Sequence, residues 1–395
     1  MAAIEIGKDI VWVGALDWDR RLFDELIPLP DGTTYNAYIV RGRDKTALVD
    51  AVDPAKSGEL LANLQEAGVK RIDYLVSQHA EQDHSGAIPD ILDVYPEARV
   101  VTNEKCKAML IDLLQLPAER FQVVADGGTL DLGGRTLEFL LMPWVHWPET
   151  MVTWLREERV LFSCDFLGAH LAQCRPLLCD EHRTLEAAKR YFAEIMMPFR
   201  PLIRKHLERL AKMDIAMIAP SHGVVYPDPA LILDAYRDWA GEATRNTALI
   251  PFISMHGSTR EMVEHLSGAL VRQGVCVVPC NLVRTDIGEL AKELVDASTV
   301  ILATPTVLGG PHPAVAYAAF LANALRPKTK FATVIGSFGW GGRAVESLTA
   351  ALGSLKVELL EPVLAKGLPL EKDFQALDRL AAAVADKHRS IGVLS

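Results

Sequence analysis

The chain lacks any C-x-x-C pair, although it contains six cysteines: Cys106, Cys164, Cys174, Cys179, Cys276 and Cys280. Their spacings match neither a zinc ribbon nor an iron–sulfur run, and a rubredoxin-type iron centre is excluded for the same reason. The sequence also lacks an apolar run of the roughly 18 residues that a spanning helix needs. Charged side chains at Glu5, Lys8 and Asp9 interrupt the first residues, so these are not typical of a secretion signal. We therefore predict a cytoplasmic protein that does not associate with a membrane and whose thiols are reduced.

Positively charged residues are fewer than negatively charged ones. The 41 Lys and Arg residues are outnumbered by 51 Asp and Glu residues, and the formal net charge is -10 at pH 7. Such a balance repels nucleic acid, which we exclude as a partner. Hydrophobic residues make up 50% of the chain and charged residues 23%, as is usual for a folded protein. A length of 395 residues exceeds one ordinary domain and favours two.

The densest group of potential metal ligands follows a short apolar stretch. Residues 75–78 are typical of the end of a buried strand, and His79, Glu81, Asp83 and His84 come directly after it. Imidazole and carboxylate ligands together suit iron, zinc or manganese. A tight loop after a strand can direct alternate side chains into one cavity, so that His79 and Glu81 can serve one ion while Asp83 and His84 serve another. The cluster therefore favours two ions over one. The alternative is a solvated turn whose histidines cap a helix beginning at Ser85.

Three further candidate ligands lie later in the chain, at His146, Asp165 and His222. His146 stands among tryptophans and prolines, where it is either another metal ligand or a core residue bonded to a carbonyl group. Asp165 ends an apolar strand, a position from which a carboxylate can bridge two cations. An acid there is otherwise a common helix cap. His222 also lies at the tip of an apolar strand.

The pattern changes near residue 249. A polar-faced helix is predicted over residues 226–248 as a connector. After it, strands (249–253, 275–278, 299–302 and 331–335) alternate with helices (260–272, 287–296, 313–325 and 343–352). That alternation is typical of a doubly wound parallel sheet. We therefore predict two domains, 1–248 and 249–395.

Three loops of this second domain follow strand ends, where such sheets bind ligands. The loops are Ser254, Met255, His256, Gly257, Ser258 and Thr259; Thr304, Pro305, Thr306, Val307, Leu308 and Gly309; and Ser337, Phe338, Gly339, Trp340, Gly341 and Gly342. The first suits a monophosphate held at a helix N-terminus, although hydroxyl-rich loops are also ordinary helix caps. The third offers an aromatic ring that can stack on a flat ligand. No G-x-G-x-x-G fingerprint follows a strand, so direct NAD binding is not supported.

Taken in order, His79-x-Glu81-x-Asp83-His84, His146, Asp165 and His222 resemble the metallo-β-lactamase-like fold, and specifically its flavodiiron branch. Glu81 separates this branch from hydrolytic relatives, which usually carry a histidine there. The three loops resemble those of the flavodoxin-like domain of the same family. The resemblance implies an α/β protein with an N-terminal metallo-β-lactamase-like αββα sandwich and a C-terminal flavodoxin-like doubly wound parallel sheet.

The resemblance also implies the ligands and the activity. One iron is expected on His79, Glu81 and His146, the other on Asp83, His84 and His222, with Asp165 bridging them and FMN in the three loops. FMN would take electrons from an external donor, either rubredoxin or a reduced deazaflavin cofactor. The two irons would reduce dioxygen to water, nitric oxide to nitrous oxide, or both. A head-to-tail homodimer, or a dimer of such dimers, is expected to set the flavin of one subunit against the metal site of its partner.

Two departures from the family pattern stand out. Asp24 occupies a position where some members have a histidine near the diiron pocket, and Leu308 stands where many have asparagine. His170 either lines the pocket or lies on a surface loop. The sequence leaves open the preference between the two gases and the identity of the donor.

Two rival functions remain to be weighed. One is a zinc hydrolase with an appended flavodoxin-like module, against which Glu81 and the three loops argue. The other is an electron-transfer or sensor protein with a vestigial metal site, against which the complete set of ligands argues.

Overall fold

The computed structural model describes residues 3–395. Contacts divide the chain into two compact units. The first contains the residues up to Phe192 together with Phe199–Ala240, and the second contains Ala193–Pro198 and Gly241–Ser395. Within residues 3–395, none of the helices combines the length and the apolar character needed to cross a bilayer.

The described residues of the first unit form many short strands and seven α-helices, besides short 3-10 helices. The strands are β1 (Ile4–Gly7), β2 (Ile10–Trp12), β3 (Ala15–Asp17), β4 (Leu22–Phe23), β5 (Ile27–Pro28), β6 (Thr33–Tyr35), β7 (Tyr38–Arg41), β8 (Thr46–Val49), β9 (Tyr74–Val76), β10 (Arg99–Thr102), β11 (Phe121–Val123), β12 (Thr129–Asp131), β13 (Thr136–Leu141), β14 (Met151–Leu155), β15 (Val160–Cys164) and β16 (Met217–Pro220). The helices are α1 (Ser57–Glu66), α2 (Gln82–Ser85), α3 (Ile88–Val94), α4 (Glu104–Leu114), α5 (Glu181–Tyr191), α6 (Arg200–Leu210) and α7 (Pro229–Ala240).

Two sheets face each other in this unit. One has the order β1-β2-β7-β8-β9-β10-β11 and the other β12-β13-β14-β15-β16. The core between them includes Trp12, Tyr38 and Val76 of the first sheet and Phe139 and Phe162 of the second. The other face of the first sheet packs on α1, α3 and α4. This arrangement confirms the predicted sandwich.

Strand direction gathers the loops that carry the predicted ligands. β9 runs parallel to β8 and β10 in one sheet, and β15 runs parallel to β16 in the other. Parallel neighbours present their carboxyl ends at the same edge. The ends of β15 and β16 therefore lie side by side, and the loops after them can reach one site.

The second unit is the predicted doubly wound sheet. Its strands are β17 (Arg245–Phe252), β18 (Cys276–Asn281), β19 (Ala297–Val307), β20 (Gly310–Pro311), β21 (Phe331–Phe338), β22 (Glu358–Leu359) and β23 (Val363–Lys366), and its helices are α8 (Ser258–Arg272), α9 (Ile287–Leu294), α10 (Pro313–Leu325), α11 (Ala344–Ala351) and α12 (Glu371–Ser390). The order β18-β17-β19-β21-β22 is parallel throughout, with β23 beside β21 and β20 antiparallel to β19.

The predicted connector helix was wrong at both ends. The helix α7 begins at Pro229, because proline suits the first turn of a helix, and it ends at Ala240. It is amphipathic, since Ile232 and Tyr236 are buried. Residue 248 lies within β17, and the predicted division after that residue stays a prediction. The strands β22 and β23 and the helix α12 were missed.

Candidate metal centre and ligand cavity

The seven predicted metal ligands converge in the first unit. The loop after β9 carries His79 and Glu81, α2 carries Asp83 and His84, the β13–β14 connection carries His146, and Asp165 and His222 follow β15 and β16. Five are buried, while Glu81 and His146 are half-buried. Their ligand atoms fall into two adjacent clusters.

The first cluster is built around the Glu81 carboxylate. Its Oε2 atom lies 3.0 Å from Nε2 of His79 and 3.1 Å from Nε2 of His146. Oδ2 of Asp165 lies 3.5 Å from the same nitrogen of His79 and 3.7 Å from that of His146. Two imidazoles and two carboxylates thus surround one point.

The second cluster lies on the other side of Asp165. Oδ1 of Asp165 lies 3.0 Å from Nε2 of His84 and 3.5 Å from Nε2 of His222. Oδ2 of Asp83 is 3.0 Å from the same nitrogen of His222. Asp165 therefore presents one carboxylate oxygen to each cluster.

The carboxylates of the two clusters favour positive charge on the groups beside them. Burial lowers the pKa of His84, but the Asp165 and Asp83 carboxylates raise it to about 10. Burial raises the pKa of Asp165, yet the neighbouring imidazoles hold it well below its usual range. Protons supply the missing charge in the metal-free protein, and a divalent cation can replace them.

Several of these polar atoms have no hydrogen-bond partner of suitable geometry among the described residues. They are both oxygens of Asp83, both ring nitrogens of His84 and Oδ2 of Asp165. Buried polar groups are normally satisfied, so their lone pairs need another partner. Three carboxylates and four imidazoles with convergent lone pairs fit a pair of iron, zinc or manganese ions.

Three supporting contacts were missed from the sequence. Nδ1 of His79 is 2.7 Å from Oε1 of Glu149, and Nδ1 of His222 is 2.6 Å from the Thr34 carbonyl oxygen. The Tyr191 hydroxyl donates to Oδ1 of Asp165 over 3.0 Å. Glu149 stands three residues after His146, and that proximity is a sequence signal that could have identified it. Tyr191 carries no such signal.

The two residues left uncertain by the sequence both lie near the clusters. His170 is buried, with Nδ1 2.9 Å from the Thr33 hydroxyl and its ring centroid 4.9 Å from that of His222. The surface interpretation of His170 was therefore wrong. Asp24 lies in the turn between β4 and β5; partial desolvation and the Glu81 carboxylate, followed by that of Asp83, raise its pKa.

The second unit contains a cavity of about 260 Å³ at the carboxyl ends of its strands. The predicted residues that line it are Ser254, Met255, His256, Ser258, Thr259, Pro305, Thr306, Ser337, Phe338, Gly339 and Trp340. Gly367, which follows β23, also lines the cavity and was missed because that strand was missed. The predicted residues that do not line it are Gly257, Thr304, Val307, Leu308, Gly309, Gly341 and Gly342.

The three loops are tied together around this cavity. The hydroxyls of Thr259 and Ser337 lie 3.1 Å apart, and the Arg343 amide donates to the Gly309 carbonyl oxygen over 2.8 Å. The helix α8 begins at Ser258, and Ser258 and Thr259 of its first turn line the cavity. The Arg260 amide of the same turn donates to the Ser254 hydroxyl oxygen over 3.2 Å. Backbone N–H groups and hydroxyls at a helix N-terminus suit a phosphate group, and Trp340, which is 94% exposed, offers a flat apolar face.

A two-sheet sandwich with paired ligand clusters, followed by a doubly wound sheet with a cavity at its strand ends, defines a metallo-β-lactamase-like domain joined to a flavodoxin-like domain. Comparisons with known proteins agree with this class. Residues 33–223 match the family model described as "ODP family beta lactamase". The chain is 34% identical to the coenzyme F420H2 oxidase of Methanothermobacter marburgensis and 35% identical to the nitric oxide reductase of Moorella thermoacetica. Each match covers 97% of this chain and 99% of the relative.

Solved structures match over nearly the same extent. The rubredoxin oxygen:oxidoreductase of Desulfovibrio gigas is 32% identical with a TM-score of 0.94, over 98% of this chain and 99% of that one. The flavodiiron protein of Giardia intestinalis is 27% identical with a TM-score of 0.93, over 99% of this chain and 98% of that one. The chain therefore belongs to the flavodiiron protein family, which is a family of oxidoreductases.

Proposed function

We propose that this protein is an FMN- and diiron-dependent reductase of dioxygen, nitric oxide or both. The observation that carries the proposal is the position of Asp165, whose two carboxylate oxygens face two different ligand clusters. A carboxylate so placed can hold two cations a few ångströms apart, which is the requirement for binding a small molecule between them.

In this proposal the first iron is held by His79, Glu81 and His146, the second by Asp83, His84 and His222, and Asp165 bridges them. When bound, the irons would supply the redox-active centres that act on the gas, and FMN would supply a carrier that takes up electrons and passes them on. The protein orients the imidazoles through their outer nitrogens, as the contacts from His79 to Glu149 and from His222 to Thr34 illustrate. The buried rings of Tyr35 and Phe23 keep bulk water from His222.

The cavity of the second unit is the proposed FMN site. Ser254, Ser258 and Thr259 would receive the phosphate at the start of α8, while Trp340 and the end of β19, at Pro305 and Thr306, would contact the ring system. The side chain of Leu308 is fully exposed and lies outside the cavity lining, so we assign it no ring contact.

The electron donor and the assembly are further parts of the proposal. Relatives are named for rubredoxin and for coenzyme F420H2, so we propose one of these two donors. We also propose a head-to-tail homodimer, or a dimer of such dimers. Exposed apolar side chains support it: Trp340 and Leu308 lie beside the flavin cavity, and Trp144 lies two residues before His146. A partner surface is the usual cover for such groups.

The test is anaerobic stopped-flow mixing of the flavin-reduced protein with dioxygen and, separately, with nitric oxide. We expect about two irons per chain and fast, repeated flavin reoxidation by at least one gas. The matched control is the same protein loaded with zinc, which keeps the fold and the flavin but removes the redox metal. Equal reoxidation rates for the iron and zinc forms would contradict the proposal.

The donor and the assembly need separate measurements. Reduced rubredoxin and reduced F420 are each mixed anaerobically with the oxidised protein, and the true donor bleaches the flavin absorbance within the turnover time. If neither does so, both donor assignments are wrong. Light scattering on the FMN-loaded protein gives the mass, and a monomeric mass would contradict the dimer.

A further inference from the structure

Glu149 lies directly behind one of the proposed ligands. It is 2% exposed and stands in the connection between β13 and β14. Its Oε1 atom is 2.7 Å from Nδ1 of His79 and accepts from the Ala80 amide over 3.1 Å. Its own carbonyl oxygen accepts from the side-chain amide of Asn103 over 2.6 Å. Both the carboxylate and the backbone of Glu149 are therefore fixed.

This contact determines which ring nitrogen of His79 can bind a metal. A carboxylate oxygen at Nδ1 requires a proton there, so Nε2 keeps its lone pair. That nitrogen faces Glu81 and Asp165. The carboxylate also locks the rotation of the ring, which would otherwise cost orientational freedom on metal binding.

The histidines of the second cluster are held differently. Nδ1 of His222 is 2.6 Å from a backbone carbonyl oxygen, that of Thr34. Nδ1 of His84 has no hydrogen-bond partner within the part of the chain that the structure describes. A side-chain carboxylate thus supports a histidine of the first cluster, whereas neither histidine of the second cluster has that support.

We propose that Glu149 is a positioning residue for the first cluster, formed by His79, Glu81, His146 and Asp165, and that it raises the metal affinity of this cluster selectively. The inference rests on the proposed function, because that function assigns metals to both clusters. Loss of such an outer partner typically lowers metal affinity about 10- to 100-fold. The second cluster should keep its affinity.

A neighbouring cavity makes the residue suitable for mutation. Glu149 lines a cavity of about 470 Å³ together with Asn103, Glu104 and Pro148. Its Oε2 atom has no hydrogen-bond partner among residues 3–395. A truncated side chain enlarges this cavity instead of opening a void in the sheet core. Glu104 lines the same cavity, is exposed and does not contact His79, so it offers a matched control.

The experiment is a titration of the metal-free, FMN-loaded protein with Co²⁺, followed by the visible absorption of the bound ion. We expect two binding events in the wild type. In Glu149→Ala one of them weakens about 10- to 100-fold and the other is unchanged. Glu149→Gln should be intermediate, since its amide oxygen still accepts from Nδ1–H but carries no charge. Glu104→Gln should behave as wild type.

A double variant identifies the affected cluster. His146→Ala removes a ligand of the first cluster, so adding Glu149→Ala to it should change the remaining event little. Wild-type affinities for both events in Glu149→Ala would overturn the inference. Equal weakening of both events, with a lower melting temperature of the metal-free protein, would show a purely structural role and would also overturn it. If the wild type itself binds no Co²⁺ at the clusters, the metal assignment is wrong and the inference is lost with it.

Discussion

Substitution of Gly336 by alanine should distort the proposed flavin cavity by forcing apart the two strands that carry its walls. Gly336 lies in β21 and pairs with Thr304 of β19. A Cβ atom at Gly336 would stand 2.0 Å from the Thr304 carbonyl oxygen, whereas ordinary contacts begin at 3.4 Å. The two strands must therefore separate by about an ångström or more. Thr304 directly precedes Pro305, which lines the cavity, and Gly336 directly precedes Ser337, which also lines it, so the separation moves two of its walls.

The size of the effect follows from the nature of the clash. Overpacking of a core typically costs about 1 to 3 kcal/mol, and a collision with backbone, which cannot change rotamer, belongs at the upper end. About 3 kcal/mol corresponds to a fall of about 6 to 12 °C in melting temperature for a domain of this size. If the loops around the cavity move apart, the strain lowers the FMN affinity rather than the melting temperature. The affinity then falls about tenfold for each 1.4 kcal/mol.

The assay combines thermal unfolding of the apoprotein with a fluorescence titration of FMN. Gly310→Ala is the matched control, because Gly310 lies in β20 beside the same strand but outside the cavity lining, does not adopt a left-handed φ, and would have no neighbour within 4 Å of an added Cβ atom. This control should change either quantity little. Wild-type stability and wild-type FMN affinity in Gly336→Ala would refute the reasoning.

Three other changes have definite expected outcomes. Asp165→Asn replaces one carboxylate oxygen by a donor, so one cluster loses a ligand and the metal content should fall from about two to about one per chain by elemental analysis. His388 is buried, with Nδ1 2.8 Å from the Asn246 side-chain oxygen and Nε2 2.8 Å from the Thr299 hydroxyl. Burial lowers its pKa, so the unfolded chain binds the proton more readily and stability is lost as the pH falls below about 6.5. In urea unfolding at pH 5 and pH 8, His388→Gln should lose less stability between the two pH values than wild type. Leu308→Asn should leave FMN affinity unchanged in the same fluorescence titration, since Leu308 does not line the cavity; a clear gain would show that an asparagine there reaches the flavin.

The strand and helix pattern of the second unit was largely predictable. The helix over residues 313–325 was predicted with the bounds that the structure shows, because Pro313 marks its first turn and its small apolar residues repeat on one face. The helix α12 was missed although its pattern is amphipathic, and with it the strands β22 and β23. Short strands at a sheet edge carry too few residues to show a period.

In the first unit, the candidate ligands that are close in sequence were the easiest to recognise. His79, Glu81, Asp83 and His84 form one motif, and their grouping is visible in the sequence itself. The structure divides this motif between two clusters, in which His79 and Glu81 join His146 while Asp83 and His84 join His222, and the resemblance implied the same division.

The sequence by itself determined the types of ligand, the order of the two folds and the three loops at strand ends, because these depend on local periodicity and on residues near one another in the chain. Only the tertiary structure decided which oxygen of Asp165 faces which cluster, that Glu149 contacts His79 and that the Tyr191 hydroxyl reaches Asp165. Those contacts join residues separated by 26 to 86 positions in the chain, and their geometry depends on how two sheets pack. Local sequence patterns do not predict that packing, because it depends on residues far apart in the chain.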